Sequence, residues 1–173
     1  RTTVDNPTYT LTADSLVVDG KNNHGMGKGN VVIVAKKDSV VLRGHESYYD
    51  RNKGLSKIFG KSYVRNIISG DTYIRADTLY SFENNLDSTR ILIGNRNVYI
   101  YKSDFQGKCD SINYNTADSI IRFFRKPILW GSQHDQMEAD SITAFLVNNN
   151  IHRILLRGKA FVITEDTLLT QYN

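Results

Sequence analysis

An acidic residue followed by a hydroxyl residue recurs as Asp14-Ser15, Glu46-Ser47, Asp77-Thr78, Asp110-Ser111 and Asp140-Ser141, in steps of 32, 31, 33 and 30 along the chain. A second series, Asp38, Asp71, Asp104, Asp135 and Asp166, steps by 33, 33, 31 and 31. Glycine keeps the same beat at Gly29, Gly60 and Gly94, gives way to Arg125, and returns at Gly158. Asparagine-rich stretches near Asn22, Asn52, Asn84, Asn115 and Asn149 follow it too. This period, roughly 31 to 33 residues, constrains the fold more than anything else in the chain, because each repeat unit must bury its apolar face against its neighbours.

Each period holds two turn signals, one rich in Asn and one centred on Asp. Both residue types favour turns, because their side chains bond the local backbone and tolerate left-handed geometry. Two turns per period leave two segments of roughly 10 to 14 residues, which predicts a hairpin in each of five periods. Ten tyrosines and seven phenylalanines against two prolines suit strands. So do Val31-Val32-Ile33-Val34, Ile91-Leu92-Ile93, Val98-Tyr99-Ile100-Tyr101 and Phe161-Val162-Ile163-Thr164. Residues 118–124, before Pro127, could form a helix on local pattern, but their place in the repeat predicts a strand.

Small residues fall near the middle of these strands: Ala13 and Gly29, Gly44 and Gly60, Ala76 and Gly94, Ala139 and Gly158, with Cys109 and Arg125 as the imperfect pair. Members of each pair lie symmetrically about a turn, so they are expected to face each other across the hairpin. Glycine inside a strand marks a bulge, a bend or a close backbone approach. A line of such residues across successive hairpins would crease an antiparallel meander into a V.

Aliphatic residues keep the same register and are expected to line the inside of that V. Four positions after each glycine-register residue come Ile33, Val64, Val98, Leu129 and Val162. Two positions before it come Ile58, Leu92, Phe123 and Leu156. Two positions after the acidic residue come Leu16, Tyr48, Leu79, Ile112 and Ile142. Intervening positions such as Lys61, Arg65, Arg75 and Arg157 suit a solvated outer face. The aliphatic registers fit both a filled sandwich core and a lipid groove, and on the residues alone the filled core is favoured.

Other functions find little support in the residues. The chain is about one domain long. Its longest apolar run is Val31-Val32-Ile33-Val34-Ala35. That is far short of the roughly 18 residues of a membrane-spanning helix. The chain opens on Arg1, which suggests a processed or trimmed piece. Twenty-two Lys and Arg against 18 Asp and Glu leave +4, too weak an excess to indicate nucleic acid. The single cysteine, Cys109, excludes an internal disulfide and suits a small buried apolar position. His24, His45, His134 and His152 occupy different places in the repeat, and the recurrent serines belong to the structural motif, so no catalytic residue is expected. Calcium binding by the repeated aspartates would need a glycine-rich nonapeptide that is absent, so neither metal nor cofactor is expected. Gly25-Met26-Gly27-Lys28-Gly29 lacks the spacing of a phosphate-cradling loop. Arg122, Arg125 and Lys126 form the densest basic cluster and suit a solvated face.

The strings Gly29-Asn30-Val31-Val32-Ile33, Leu156-Arg157-Gly158-Lys159-Ala160-Phe161-Val162 and Asp71-Thr72-Tyr73-Ile74-Arg75-Ala76-Asp77-Thr78-Leu79 resemble the OstA-like (LptA) family. The resemblance runs from Thr12 to Leu169, so residues 1–173 are expected to form a single OstA-like domain, or a fragment of a longer chain. It implies an all-β fold, an antiparallel folded β-jelly roll, or β-taco. It also implies a non-enzymatic periplasmic protein, outer-membrane associated in some members, that shields the acyl chains of lipopolysaccharide in its V. The lipid A groove would then be lined by Leu16, Ile33, Ile58, Val64, Leu79, Leu92, Val98, Ile112, Phe123, Leu129, Ile142, Leu156 and Val162. Partners implied are other OstA-like domains of a transport bridge, paired edge to edge, and further copies of the chain head to tail. The competing expectation is a scaffolding module with a filled core, whose edges are the first strand, residues 11–18, and the last, residues 158–169.

Overall fold

The computed structural model describes residues 1–5, 7, 9–36, 40–65, 72–84, 89–131 and 135–164. A short strand, β1 (Thr2–Asp5), precedes five hairpins. In the first, β2 (Tyr9–Ala13) and β3 (Ser15–Asp19) run out and β4 (His24–Ala35) returns. The second pairs β5 (Val40–Asp50) with β6 (Leu55–Arg65), and the third β7 (Tyr73–Glu83) with β8 (Arg90–Lys102). In the fourth, β9 (Phe105–Asn115) runs out, and β10 (Ile120–Phe124) and β11 (Ile128–Gly131) return. The fifth is β12 (Gln136–Glu138) and β13 (Ser141–Val147) outward, then β14 (Asn150–Arg157) and β15 (Phe161–Ile163) back. The all-β antiparallel fold expected from the repeat is therefore present, and residues 120–124 are a strand.

Hairpin tips follow their turn chemistry. Val147 pairs with Asn150 across Asn148 and Asn149, both left-handed at φ 51° and 63°, as a tight two-residue hairpin requires. Asp38, Asp71, His134 and Asp166 lie outside the described residues.

Every long strand passes through two layers. The first layer contains β3, residues 24–28, 46–50, 55–59, 78–83, 90–95 and 111–115, then β10, β13 and β14. In the second lie β1, β2, residues 31–35, 40–44, 62–65, 73–76, 98–102 and 105–109, then β11, β12 and β15. At the boundary the register shifts: between Lys28 and Val31, Arg43 and Glu46, Phe59 and Ser62, Arg75 and Thr78, and Asn95 and Val98.

The cause of the crease is a pair of consecutive left-handed residues on each return strand. These are Gly29-Asn30 (φ 73° and 46°), Gly60-Lys61 (82° and 53°), Arg96-Asn97 (61° and 51°), Arg125-Lys126 (62° and 56°) and Gly158-Lys159 (72° and 45°). Such a pair reverses the pleat locally and turns the strand from one layer into the other. Glycine stands first in three of the five because it adopts positive φ without steric cost.

Two sequence expectations change here. Gly94 is not a crease residue; it pairs with Leu79 inside the first layer, and the third crease falls two residues later, at Arg96-Asn97. Gly94 is small because a Cβ there would come within 2.8 Å of Ile112 Cγ2. Nor do the small residues face each other in pairs, since the register slips by one across the bulge. Thus Asp14, and not Ala13, donates its N–H to the Gly29 carbonyl at 2.8 Å, and Asp140 does the same to Gly158 at 2.8 Å.

Candidate functional site

The interior between the layers is built from cross-strand ladders, in which residues directly opposite one another share a face. Nearest the crease, the first layer presents Leu16, Gly27, Ser47, Ile58, Leu79, Gly94, Ile112, Phe123, Ile142 and Leu156 in one unbroken row. One step out run Gly25, Tyr49, Ser56, Ser81, Leu92, Tyr114, Ile121, Ala144 and Ile154. Facing them, the second layer supplies Leu11, Ile33, Leu42, Val64, Ile74, Ile100, Gly107, Leu129, Met137 and Val162. Closest to the fold it has mostly small side chains, including Ala13, Ser62, Ala76 and Ala139, because the layers converge there and leave little room.

Of the thirteen residues expected inside, Ile58, Val64, Leu79, Val98, Ile112, Phe123, Leu129 and Ile142 are buried. Leu16, Ile33, Leu92 and Leu156 are half-buried and pack against that core. Val162 belongs to the ladder through Met137 but is 50% exposed, because β15 is paired on one side only. Val98 sits in the row beside the crease and Ile100 takes the ladder place expected for it, a consequence of the displaced third bulge. Tyr48 points outward, and Ser47 occupies the interior position instead. Sequence reasoning missed Ile74, Ile100, Tyr114, Ile121 and Ala144, all buried. The period-2 alternation could have found them, since each lies two residues from a ladder member.

The layers are in contact. The Phe105 ring, from the second layer, meets Phe123 of the first with centroids 6.2 Å apart. Farther from the crease, Tyr49 of the first layer and Tyr9 of the second bring their phenols together, and burial pushes the Tyr49 phenol above its ordinary pKa. Cys109 stands half-buried among the small residues near the fold; burial pushes its thiol up to about 12. A thiol so raised is a poor nucleophile at neutral pH.

The repeated acidic residues have a role in the crease. Asn30 donates to Asp14 at 2.8 Å, Asn97 to Asp77 at 2.9 Å, and Arg125 to Asp110 at 2.9 Å, each from a left-handed return-strand residue to the outgoing strand beside it. In the second hairpin the equivalent place is held by His45, whose Cβ would lie 2.6 Å from a Cβ on Gly60; Glu46 is the next residue along. Clefts of about 540 and 610 Å³ open at the crease, the first lined by Asn30, Arg43, His45 and Lys61, the second by Ser111, Arg125 and Asp140. Among the described residues, no group of three His, Cys, Asp or Glu side chains gathers as a metal site. Among them, too, no helix is long and apolar enough to cross a membrane.

The outer faces differ from the solvated surface expected. Tyr99 and Tyr101 are 52% and 50% exposed on the outside of the second layer, beside the expected Arg65 and Arg75. Exposure of such rings follows from the alternation itself, since Val98 and Ile100 claim the interior.

No curated protein matches the chain at a significant level. Among solved structures, the chain is similar to LptH, the LptA-homologous periplasmic component of the conserved lipopolysaccharide transport device from Pseudomonas aeruginosa. Identity is 12%, over 91% of this chain and 95% of that one, with a TM-score of 0.38, too loose a superposition to add to the argument. The family model described as LptA/(LptD N-terminal domain) LPS transport protein matches residues 10–150, well over half of the 173. The chain belongs to that family of lipopolysaccharide-transport proteins.

Proposed function

We propose that this chain is a non-enzymatic periplasmic carrier that binds lipopolysaccharide by its lipid A acyl chains, between the two layers, and passes it toward the outer membrane. The observation that carries this reading is the mainly apolar ladder on each inner face of an open sheet, in a chain of a lipopolysaccharide-transport family. The layers are joined by covalent strands along the crease but only by side-chain packing at the mouth. Acyl chains would therefore enter from the mouth, meeting half-buried Leu92 and Ile33 before Phe123 and Val98. Each methylene transferred from water contributes about 0.8 kcal/mol. The lipid-binding residues are the thirteen expected from sequence, with Ile74, Ile100 and Ile121 added.

Edge pairing would extend the interior from one domain to the next, whether another family member or a second copy. The edges available are β1 and β3 on one side and β14 and β15 on the other. Residues 11–13, expected at an edge, are covered by β1. Val17 and Val18 on β3 are 69% and 52% exposed. Such exposure suits a strand awaiting a partner.

A photo-crosslinking residue at Leu92 should capture lipopolysaccharide, and one at outward-facing Lys57 should not. Equal labelling at both sites sinks the proposal. The scaffolding alternative draws on the tight interior packing, with Phe123, Leu129 and Ile142 at 0% exposure. Lipid mass spectrometry on purified protein separates the readings: copurifying lipid A supports carriage, and an empty protein that polymerises supports the scaffold.

A further inference from the structure

Seven neighbouring strand segments of the second layer, from β4 to β11, turn fourteen side chains outward in two registered rows. None of the fourteen is Asp or Glu. Four are cations: Arg43, Arg65, Arg75 and Lys108. Five are Tyr63, Tyr73, Tyr99, Tyr101 and Trp130. The others are Val32, Val34, Val41, Ile128 and Gln106. Cations and rings alternate along the first row, where Arg43 pairs with Tyr63, Tyr63 with Arg75, Arg75 with Tyr99, and Tyr99 with Lys108. Arg43 lies over the Tyr63 ring at 6.0 Å, and Lys108 over Trp130 at 5.9 Å. These two charges thus lie within cation–π range of a neighbouring ring. The first row meets an acid only beyond the strip, at Glu138 beside Ile128, whereas on the other layer Glu46 and Asp19 stand within outward rows.

A face of this kind needs an explanation, since solubility calls for mixed charge and few exposed rings. Seven strands at about 4.8 Å spacing make a strip roughly 30 Å long. Tyr and Trp settle at the headgroup level of a bilayer, where an apolar ring and a polar tip are both satisfied. Lys and Arg beside them are attracted to anionic headgroups. We infer that this outer face docks on the surface of an anionic phospholipid bilayer, through Arg75 and Lys108 to the headgroup phosphates and through Tyr99, Tyr101 and Trp130 into the interfacial layer. Docking would leave the interior between the layers free and orient the crease relative to the membrane.

The chain's single tryptophan, Trp130, lies on this face and reports on it without mutation. Adding vesicles of phosphatidylglycerol and phosphatidylethanolamine should shift its fluorescence to the blue, and pure phosphatidylcholine vesicles should not. In co-sedimentation, Arg75→Gln or Lys108→Gln should each weaken partition onto the anionic vesicles about fivefold, the equivalent of about 1 kcal/mol per cation near the surface. Tyr99→Ser with Tyr101→Ser should weaken it further, and Lys57→Gln on the opposite layer should leave it unchanged. The inference is overturned by equal binding to neutral vesicles, by an equal loss in Lys57→Gln, or by an unshifted Trp130. It is likewise overturned if an acidic oligosaccharide or a single-stranded oligonucleotide binds this face while the anionic vesicles do not.

Discussion

Asn97 donates a 2.9 Å hydrogen bond to the Asp77 carboxylate, joining the second left-handed residue of a return strand to the acidic residue of the outgoing strand beside it. Asn30 and Asp14 repeat the arrangement two hairpins earlier. The repeat thus encodes a device: the bulge bends the strand, and the neighbouring carboxylate holds the bend. Asp77→Ala and Asn97→Ala should each lower stability by about 1 kcal/mol, as expected for a charge-assisted bond at a solvent-exposed site. A double-mutant cycle by urea denaturation should return a coupling of about 0.5–1 kcal/mol. Strictly additive losses would mean that the contact does not hold the crease.

The left-handed pairs predict substitutions of opposite sign. Gly29→Ala forces a side chain into positive φ and onto the Asp14 carboxylate. It should cost about 1–3 kcal/mol. Gly158→Ala meets the same obstacle at Asp140. Arg96 is an exposed non-glycine residue at φ 61°. Arg96→Gly therefore relieves backbone strain and should be neutral or stabilise by up to about 1 kcal/mol. Thermal unfolding of the three variants checks the contrast, and a loss above about 1 kcal/mol in Arg96→Gly contradicts it.

These two devices explain how much was legible in the sequence. The period, the hairpins and the crease could be read, because Asn turns, bulge glycines and aspartates recur in fixed relation. Interior positions could be read where the beat was regular, as at Ile58, Phe123 and Ile142. Errors arose where one residue type served two needs. Gly94 keeps the glycine beat for packing room against Ile112, while Arg96-Asn97 bends the strand without glycine. Glu46 imitates the acidic motif one place beyond its equivalent, which misdirected Tyr48. The aromatic and cationic outer face is not legible in the sequence, because alternation assigns a face and says nothing about what lies beyond it.

Phe123 ties the two layers together through Phe105 and is fully buried. Phe123→Ala should cost about 3–5 kcal/mol, since the layers are joined along the crease and can close only partly over the void. Val162 is in the same set of expected interior residues but half exposed. Val162→Ala should cost less than about 0.5 kcal/mol. Chemical denaturation of both measures whether stability follows observed burial or the sequence register. Similar losses would favour the register.

Cys109 adds a pH dependence whose sign follows from its burial. The thiol is pushed from 9.0 up to about 12 in the folded chain, chiefly by desolvation, so the native state keeps its proton where the unfolded chain releases it. Between those two values the native state binds more protons than the unfolded one, and stability must fall as pH rises. The contribution is fully present below pH 9 and is lost toward pH 12. Its slope is at most about 1.4 kcal/mol per pH unit. Cys109→Ala fits the small-residue row near the fold, keeps that row apolar and removes the ionisation. Its stability should therefore decline less steeply than that of the parent chain above pH 9, where other groups titrate equally in both. Parallel curves from urea denaturation at pH 8, 9 and 10, conditions of about equal ionic strength, would show that the thiol ionises as readily in the folded chain as in the unfolded one.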